Sequence, residues 1–354
     1  MVSDAEAKMI LSKWLRFTAT VLASLLPQFA HAETAAEFYQ GKTVTIYVGF
    51  APGGGYDANA QLLAMHMKRH IPGEPNVIVK HMPGAGSLVL MNYLWAVAPR
   101  DGTAFGIPAS SAAFSPLIGT PQEKASSKFD AAQFTWLGSL EKFTPIGLAW
   151  HTTGIKTIED VKQHELRFGS SGAASGGELY GKLLNDMIGT KLRAIRGYRG
   201  SNEITLAIER GEIDGFVGWC WNCMKADRPQ YLNDHLANVF VQFGRDAEAT
   251  AKGVPSAYDL VTDPKDRQVV RLILANLELS RPFVAPPGLP PERAKALRDA
   301  FYATAEDPAF LAAARKAGRD IDVFRHTEID ALLKESYALP PDIIQRASDV
   351  SNPQ

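Results

Sequence analysis

The 354-residue chain is poor in cysteine, with only Cys220 and Cys223, and poor in net charge, at -1 overall. Two cysteines cannot build the framework of a disulfide-rich small domain. They read C-x-x-C within Trp219-Cys220-Trp221-Asn222-Cys223, but a zinc site needs two more ligands and no spaced His or Cys pair lies nearby, so no metal is expected. The charge balance, with no basic cluster, gives no reason to expect nucleic acid as a partner. Cofactor fingerprints are missing too. Gly53-Gly54-Gly55-Tyr56-Asp57-Ala58 does not complete G-x-G-x-x-G in any register. Gly41-Lys42-Thr43 mimics the end of a phosphate loop, but position 36 is Ala and the strand follows instead of preceding. No cofactor is expected.

What is present is the composition of a soluble globular protein, 46% hydrophobic and 21% charged, in a chain long enough for two ordinary domains. The most informative segment is Pro52-Gly53-Gly54-Gly55-Tyr56-Asp57. It follows the apolar, β-branched run Thr43 to Phe50 and precedes a helical pattern with Leu62, Leu63, Met65 and Met67. Such a junction aims unpaired N–H groups and the positive end of the helix dipole at one point, a place for a carboxylate or phosphate without any basic side chain. Two similar turns follow, Pro83-Gly84-Ala85-Gly86-Ser87 and Ser170-Ser171-Gly172-Ala173-Ala174-Ser175. Three in one chain point to a pocket built from loops to hold an anion.

The N-terminus reads as an export signal. Lys8, Lys13 and Arg16 form a positive flank, Phe17 to Leu26 an apolar stretch, and Ala30-His31-Ala32 an A-x-A cleavage site. The stretch falls short of the roughly 20 residues that span a bilayer. Asp4 and Glu6 are unusual in such a flank, which leaves Met1 and Met9 both open as start sites. The mature protein is expected to be periplasmic, cleaved near Ala32, with a local disulfide between Cys220 and Cys223.

Strand-like and helix-like segments alternate through the mature chain, as in α/β layers with largely parallel sheets. Asn76 to Lys80, Thr103 to Ile107, Trp136 to Leu140, Ile146 to Trp150, Leu166 to Gly169 and Ile213 to Gly218 read as extended. Thr157 with Asp160 marks a helix start, Asp307-Pro308 another, and Thr327 opens what reads as the last helix. The polar stretch Thr120 to Asp130 reads as a surface loop. Gly197-Tyr198-Arg199-Gly200-Ser201 is a further strand-to-helix junction.

The order of these motifs resembles the substrate-binding proteins of the tripartite tricarboxylate transporter family, also called the Bug or TctC family. The matching segments are Pro52 to Asp57, Pro83 to Gly86, Pro99 to Thr103, Ser170 to Gly172, Tyr198 to Ser201, Gly211-Glu212-Ile213-Asp214 and Pro286 to Pro290. The resemblance implies an α/β periplasmic-binding-protein fold of the type II, two-lobed, hinged kind. After the export signal at 1–32, it places one lobe at 33–142 plus 279–354, and the other at 143–278. It implies a binding protein, not an enzyme. Such a protein captures a small organic carboxylate between its lobes and delivers it to the membrane permease subunits of a tripartite transporter, here as a monomer. By the same resemblance the ligand is held by backbone N–H groups and waters. Gly54, Gly55, Tyr56 and Asp57 serve from one lobe and Ser171, Gly172 and Ala173 from the other, with Gly84, Ala85, Gly86, Gly200 and Ser201 lining the cleft. Tyr56, Ser87 and Gln61 depart from the family pattern.

Several residues carry two readings. Asp57 is a helix N-terminal residue favoured by the dipole or a direct ligand contact. Asp214 is a strand-end turn residue or a partner for an amine. Trp219 and Trp221 pack in the core or stack on a planar ligand. Most histidines, His66, His70 and His81 among them, read as surface or helix residues. Gly169-Ser170-Ser171-Gly172-Ala173 approximates a nucleophile elbow with Ala in its last position, so a serine hydrolase using Ser171 and His326 is the enzyme alternative. A sensor that presents its ligand to a receptor kinase is the third.

Overall fold

In a computed structural model of the chain the described residues are 33–172, 175–198, 200–244 and 251–352. The export signal with Ala32, and also Ala173 and Arg199, lie outside them. The architecture below is that of the compact unit Ala35–Gln354.

The first sheet starts with β1 (Thr43–Val48), whose Val44, Ile46 and Val48 are fully buried. After it come α1 (Gly55–Met67), β2 (Asn76–His81), α2 (Leu88–Ala96), β3 (Ala104–Ile107) and β4 (Thr135–Ser139). β1 lies between β2 and β3 and runs parallel to both, with Thr45 opposite Ile78 on one side and Ala104 on the other. A strand in mid-sheet, covered on both faces, must be apolar almost throughout, as β1 is.

The chain then enters a second sheet through β5 (Pro145–Trp150) and β6 (Leu166–Ser170). α3 (Gly176–Ile188), β7 (Leu192–Arg196), α4 (Ser201–Glu209), β8 (Gly215–Cys220), α5 (Trp221–Asp227) and β9 (Ala237–Gln242) follow. Here β6 lies between β7 and β8, parallel to both, and β5 is antiparallel to β8 and β9. The chain returns through α6 (Pro264–Leu279) and β10 (Pro282–Ala285). It closes with α7 (Pro291–Glu306), α8 (Pro308–Lys316), β11 (Phe324–Arg325), α9 (His326–Tyr337) and α10 (Pro341–Ser351). The first sheet is thus ordered β11-β4-β10-β3-β1-β2 and the second β7-β6-β8-β5-β9.

One core packs Leu63, Phe105, Phe283, Phe301 and Phe310 between the first sheet and α1, α7 and α8. A second is continuous from Leu94, Leu274 and Leu333 to Phe168, Leu184 and Phe243 of the second sheet and its helices. Helix α6 buries Val269, Val270, Leu272, Ile273, Leu274 and Leu277 and packs on α9 and α10.

Three expectations are corrected. The sheets are mixed and not largely parallel, since β10 pairs antiparallel with β3 and β4, β11 with β4, and β5 with both β8 and β9. The polar stretch from Thr120 contains a helical turn, Pro121–Ser126, because Thr120 and Glu123 form a reciprocal capping box. The helix near Thr327 is not the last, since α10 follows after Pro340 and buries Ile343, Ala347 and Val350.

Candidate functional site

The turn after β1 is organised by its own aspartate. Gly53 takes a φ of 91°, a backbone that glycine adopts without strain, and its N–H donates to Asp57 Oδ2 at 2.7 Å. His81 Nε2 lies 2.8 Å from Asp57 Oδ1, and Gln61 Nε2 donates to the same oxygen at 3.3 Å. The Gly53 N–H, helped by His81 and Gln61, holds the Asp57 carboxyl below its usual value against the opposing effect of burial. Of the two readings of Asp57, the geometry is that of a residue shaping its turn. His81, read as a surface or helix residue, instead ends β2 and ties the first turn to the second. Gly54 is the exposed N-cap of α1 with extended backbone, and Gly55 and Tyr56 open the helix. By helix geometry the N–H groups of Gly55, Tyr56 and Asp57 have no intrahelical acceptor.

The turn after β2 bends through Ala85, Gly86 and Ser87, all at positive φ (45°, 61° and 75°). The buried Ser87 hydroxyl donates to Gly49 O at 3.1 Å and accepts from Ala109 N at 3.0 Å, joining the ends of β1 and β3. The role of Ser87 is structural: its hydroxyl links two strand ends. Gly84, Ala85 and Gly86 are exposed beside it.

In the second sheet, Ser170 is the knot. Its Oγ contacts Ser175 Oγ at 2.9 Å and Glu178 Oε1 at 2.8 Å and accepts from Gly172 N at 3.0 Å. The Gly172 N–H is therefore engaged inside the turn. Arg196 grips Glu178 with both Nε (2.8 Å) and Nη2 (2.7 Å), which holds that carboxyl below its usual value. Ser171 is exposed, and Gly200 and Ser201 cap and open α4 at the end of β7, bordering an open hollow of about 580 Å³ with Asn202, Glu203 and Asp227. The main-chain N–H groups of Gly197 and Tyr198 donate to Ser170 O, so these two turns are also tied together.

Apart from Ala173, the structure thus gathers the expected residues into two sets, each at the carboxyl ends of adjacent parallel strands. In both sheets a strand with a glycine-rich turn is flanked by the next two strands in sequence, β2 and β3 around β1, β7 and β8 around β6. This order makes a topological switch point, where crossovers diverge and leave a crevice outside the strand ends.

Sequence reasoning missed a buried charge cluster beside the first turn. Glu141 pairs with Arg281 Nη1, and its Oε1 accepts from Arg319 Nη1 at 2.6 Å and Asn59 Nδ2 at 3.1 Å. Burial, with Arg319 nearby, lowers the Arg281 pKa below its usual value. The Arg281 guanidinium carbon lies 5.5 Å from the Tyr56 ring centre, and a Cβ built on Gly55 would stand 2.8 Å from Arg281 Nη2. Tyr56 stacks on Phe50 at 4.3 Å and its hydroxyl donates to Ser280 O at 3.3 Å. No local motif surrounds Arg281 or Glu141, and only the long-range fold brings them to the turn.

The remaining double readings separate cleanly. Asp214 accepts from Arg167 N, Nε and Nη2 at 2.7–2.9 Å and sits where β8 begins, at the end of the strands away from the glycine turns. Trp219 is buried and stacks on Phe216 at 5.2 Å, a core residue. Trp221 is half-buried under Lys225 and borders a hollow of about 540 Å³ with Phe143, Leu277 and Leu332, which contains none of the described glycine-turn residues. Cys220 and Cys223 form a disulfide at the start of α5. His326 Nδ1 is 2.7 Å from the Tyr302 hydroxyl against the first sheet, while Ser171 is on the second. Among the described residues no group of three or more His, Cys, Asp or Glu is placed to hold a metal, and no helix is long and apolar enough to cross a membrane.

Two α/β sheets with crossing connections and switch-point turns define the periplasmic-binding-protein fold, and comparison with solved structures agrees. A TctC solute-binding protein from Polaromonas, solved without ligand, superposes with a TM-score of 0.67 at 18% identity, covering 87% of this chain and 99% of that one. Two proteins of Rhodopseudomonas palustris are also similar. Rpa4515 with adipate has a TM-score of 0.55 at 16% identity (88% and 97% covered), and MatC with bound malate 0.53 at 17% (88% and 99%). In sequence, the chain is 30% identical over 212 residues to a UPF0065 protein from the TAR-I ttuE-ttuC' intergenic region of Agrobacterium vitis, spanning 56% of either chain. No family profile matches the chain.

Proposed function

We propose that the protein is a solute-binding protein of the tripartite tricarboxylate type, which captures a small organic carboxylate outside the cytoplasm and hands it to permease subunits in the membrane. The observation that carries this reading is the pair of switch points, each with glycine-rich turns at the carboxyl ends of parallel strands. Short residues there let the backbone approach an anion, and the helix dipoles supply the charge. The lobes are 33–142 plus 279–354 and 143–278, and a ligand touching both favours their closed arrangement by its differential affinity. Gly54, Gly55 and Tyr56 face Ser171 and its neighbours across the cleft, Asp57 shapes its turn, and Gly84, Ala85, Gly86, Gly200 and Ser201 form the walls. The ligands named for the two R. palustris proteins, adipate and malate, favour the carboxylate class. The protein works without catalysis, as a periplasmic monomer. Thermal-shift screening of carboxylates tests the reading, because a ligand that binds only the native state raises its melting temperature. A saturable shift with at least one acid supports it, and a flat response across mono-, di- and tricarboxylates overturns it.

A further inference from the structure

Arg281 and Glu141 sit in the two segments that connect the sheets, one just before β10 and the other just after β4. Both reach the first glycine turn: Arg281 lies against Gly55 and over the Tyr56 ring, and Glu141 is bonded to Asn59 of α1. One carboxylate, Glu141, serves two guanidinium groups, Arg281 and Arg319. The cluster is therefore left with one uncompensated positive charge. The Asp57 carboxylate is turned onto Gly53, His81 and Gln61 and not onto these guanidinium groups. Among the described residues Arg281 Nε is buried without a hydrogen-bond partner, yet 28% of the side chain is exposed, so the group is underused and reachable.

We infer that Arg281 is a specificity-determining residue of the carboxylate site, held on Glu141 in the empty protein and shared with the ligand's acid group when the Gly55 and Tyr56 amides take it up. The inference rests on the proposed function and adds to it a side chain that selects for charge. Tyr56 keeps the guanidinium over the turn through its ring and through its bond to Ser280 O. Glu141 competes with the ligand for the same guanidinium, so its removal should strengthen binding.

Titration calorimetry with malate, adipate and benzoate on wild type, R281Q, R281K and E141Q tests this. Each of these acids that wild type binds should bind R281Q roughly 10- to 100-fold more weakly, the worth of a hydrogen bond to a charged group. R281K should recover part of the loss, and the salt dependence of Kd should be flatter in R281Q. E141Q should melt at a lower temperature when empty but bind more tightly, an opposite movement that a merely structural role would not give. Wild-type affinity in R281Q, or weaker binding in E141Q, overturns the inference and leaves the carboxylate reading standing. No binding of any of the three acids by wild type overturns the inference, and the thermal-shift screen then decides separately whether the carboxylate reading falls with it.

Discussion

At the scale of single residues, the first turn separates two glycines that look alike in sequence. Gly54 has a φ of -89° and a ψ of 176°, open to any residue, and nothing among the described residues lies within 4 Å of a Cβ built there. Gly55 is different, since its Cβ would press on Arg281. Gly54→Val should leave the melting temperature unchanged and abolish carboxylate binding by screening the amides. Gly55→Val should lower both, because it displaces a guanidinium paired with Glu141. Equal binding by Gly54→Val and wild type in calorimetry would remove this turn from the site. Asp57, Asp214 and Glu178 titrate below their usual values, through the Gly53 N–H, Arg167 and Arg196 respectively. The unfolded chain therefore takes up protons at a higher pH than the folded one. The stability these groups contribute is complete at neutral pH and is lost as pH falls below about 4. Urea midpoints measured from pH 7 to pH 3 should fall, and Asp57→Asn should reduce the size of that fall; an unchanged pH dependence in the variant would contradict the role of Asp57.

At the scale of elements, packing should hold β8 more strongly than its cross-link does. Trp219 is buried against Phe216 and Tyr231, so Trp219→Ala should cost about 3–5 kcal/mol in chemical denaturation. The disulfide closes a loop of sequence separation 3, and replacing both cysteines by serine should cost no more than about 2 kcal/mol. The reverse ranking would make the Cys220–Cys223 bond the anchor of this strand end. Capping chemistry was readable in advance where it was local, as at Thr157 with Asp160 and at Asp307 before α8. At Thr120 and Glu123 the same signal lies inside a polar stretch whose composition is that of a loop.

At the scale of the whole molecule, the alternation of strands with glycine-rich helix starts announced α/β sheets, because each signal is written in neighbouring residues. The switch points follow from strand order, which no local pattern encodes: β1 lies between its two successors, and so does β6. The charge cluster was invisible for the same reason. Arg281 and Glu141 are 140 positions apart in the chain, and only the return of the chain to the first sheet brings them to Gly55. Trp219 and Asp214 had two readings apiece because burial and strand register, not residue type, decide between them. The central claim is that main-chain amides at the paired switch points receive the acid group. A crystal structure of the protein with malate or adipate tests it most directly. The account predicts a carboxylate oxygen about 3 Å from the Gly55 or Tyr56 nitrogen. Density for the acid in the hollow beside Trp221, or held by side chains alone, would contradict it.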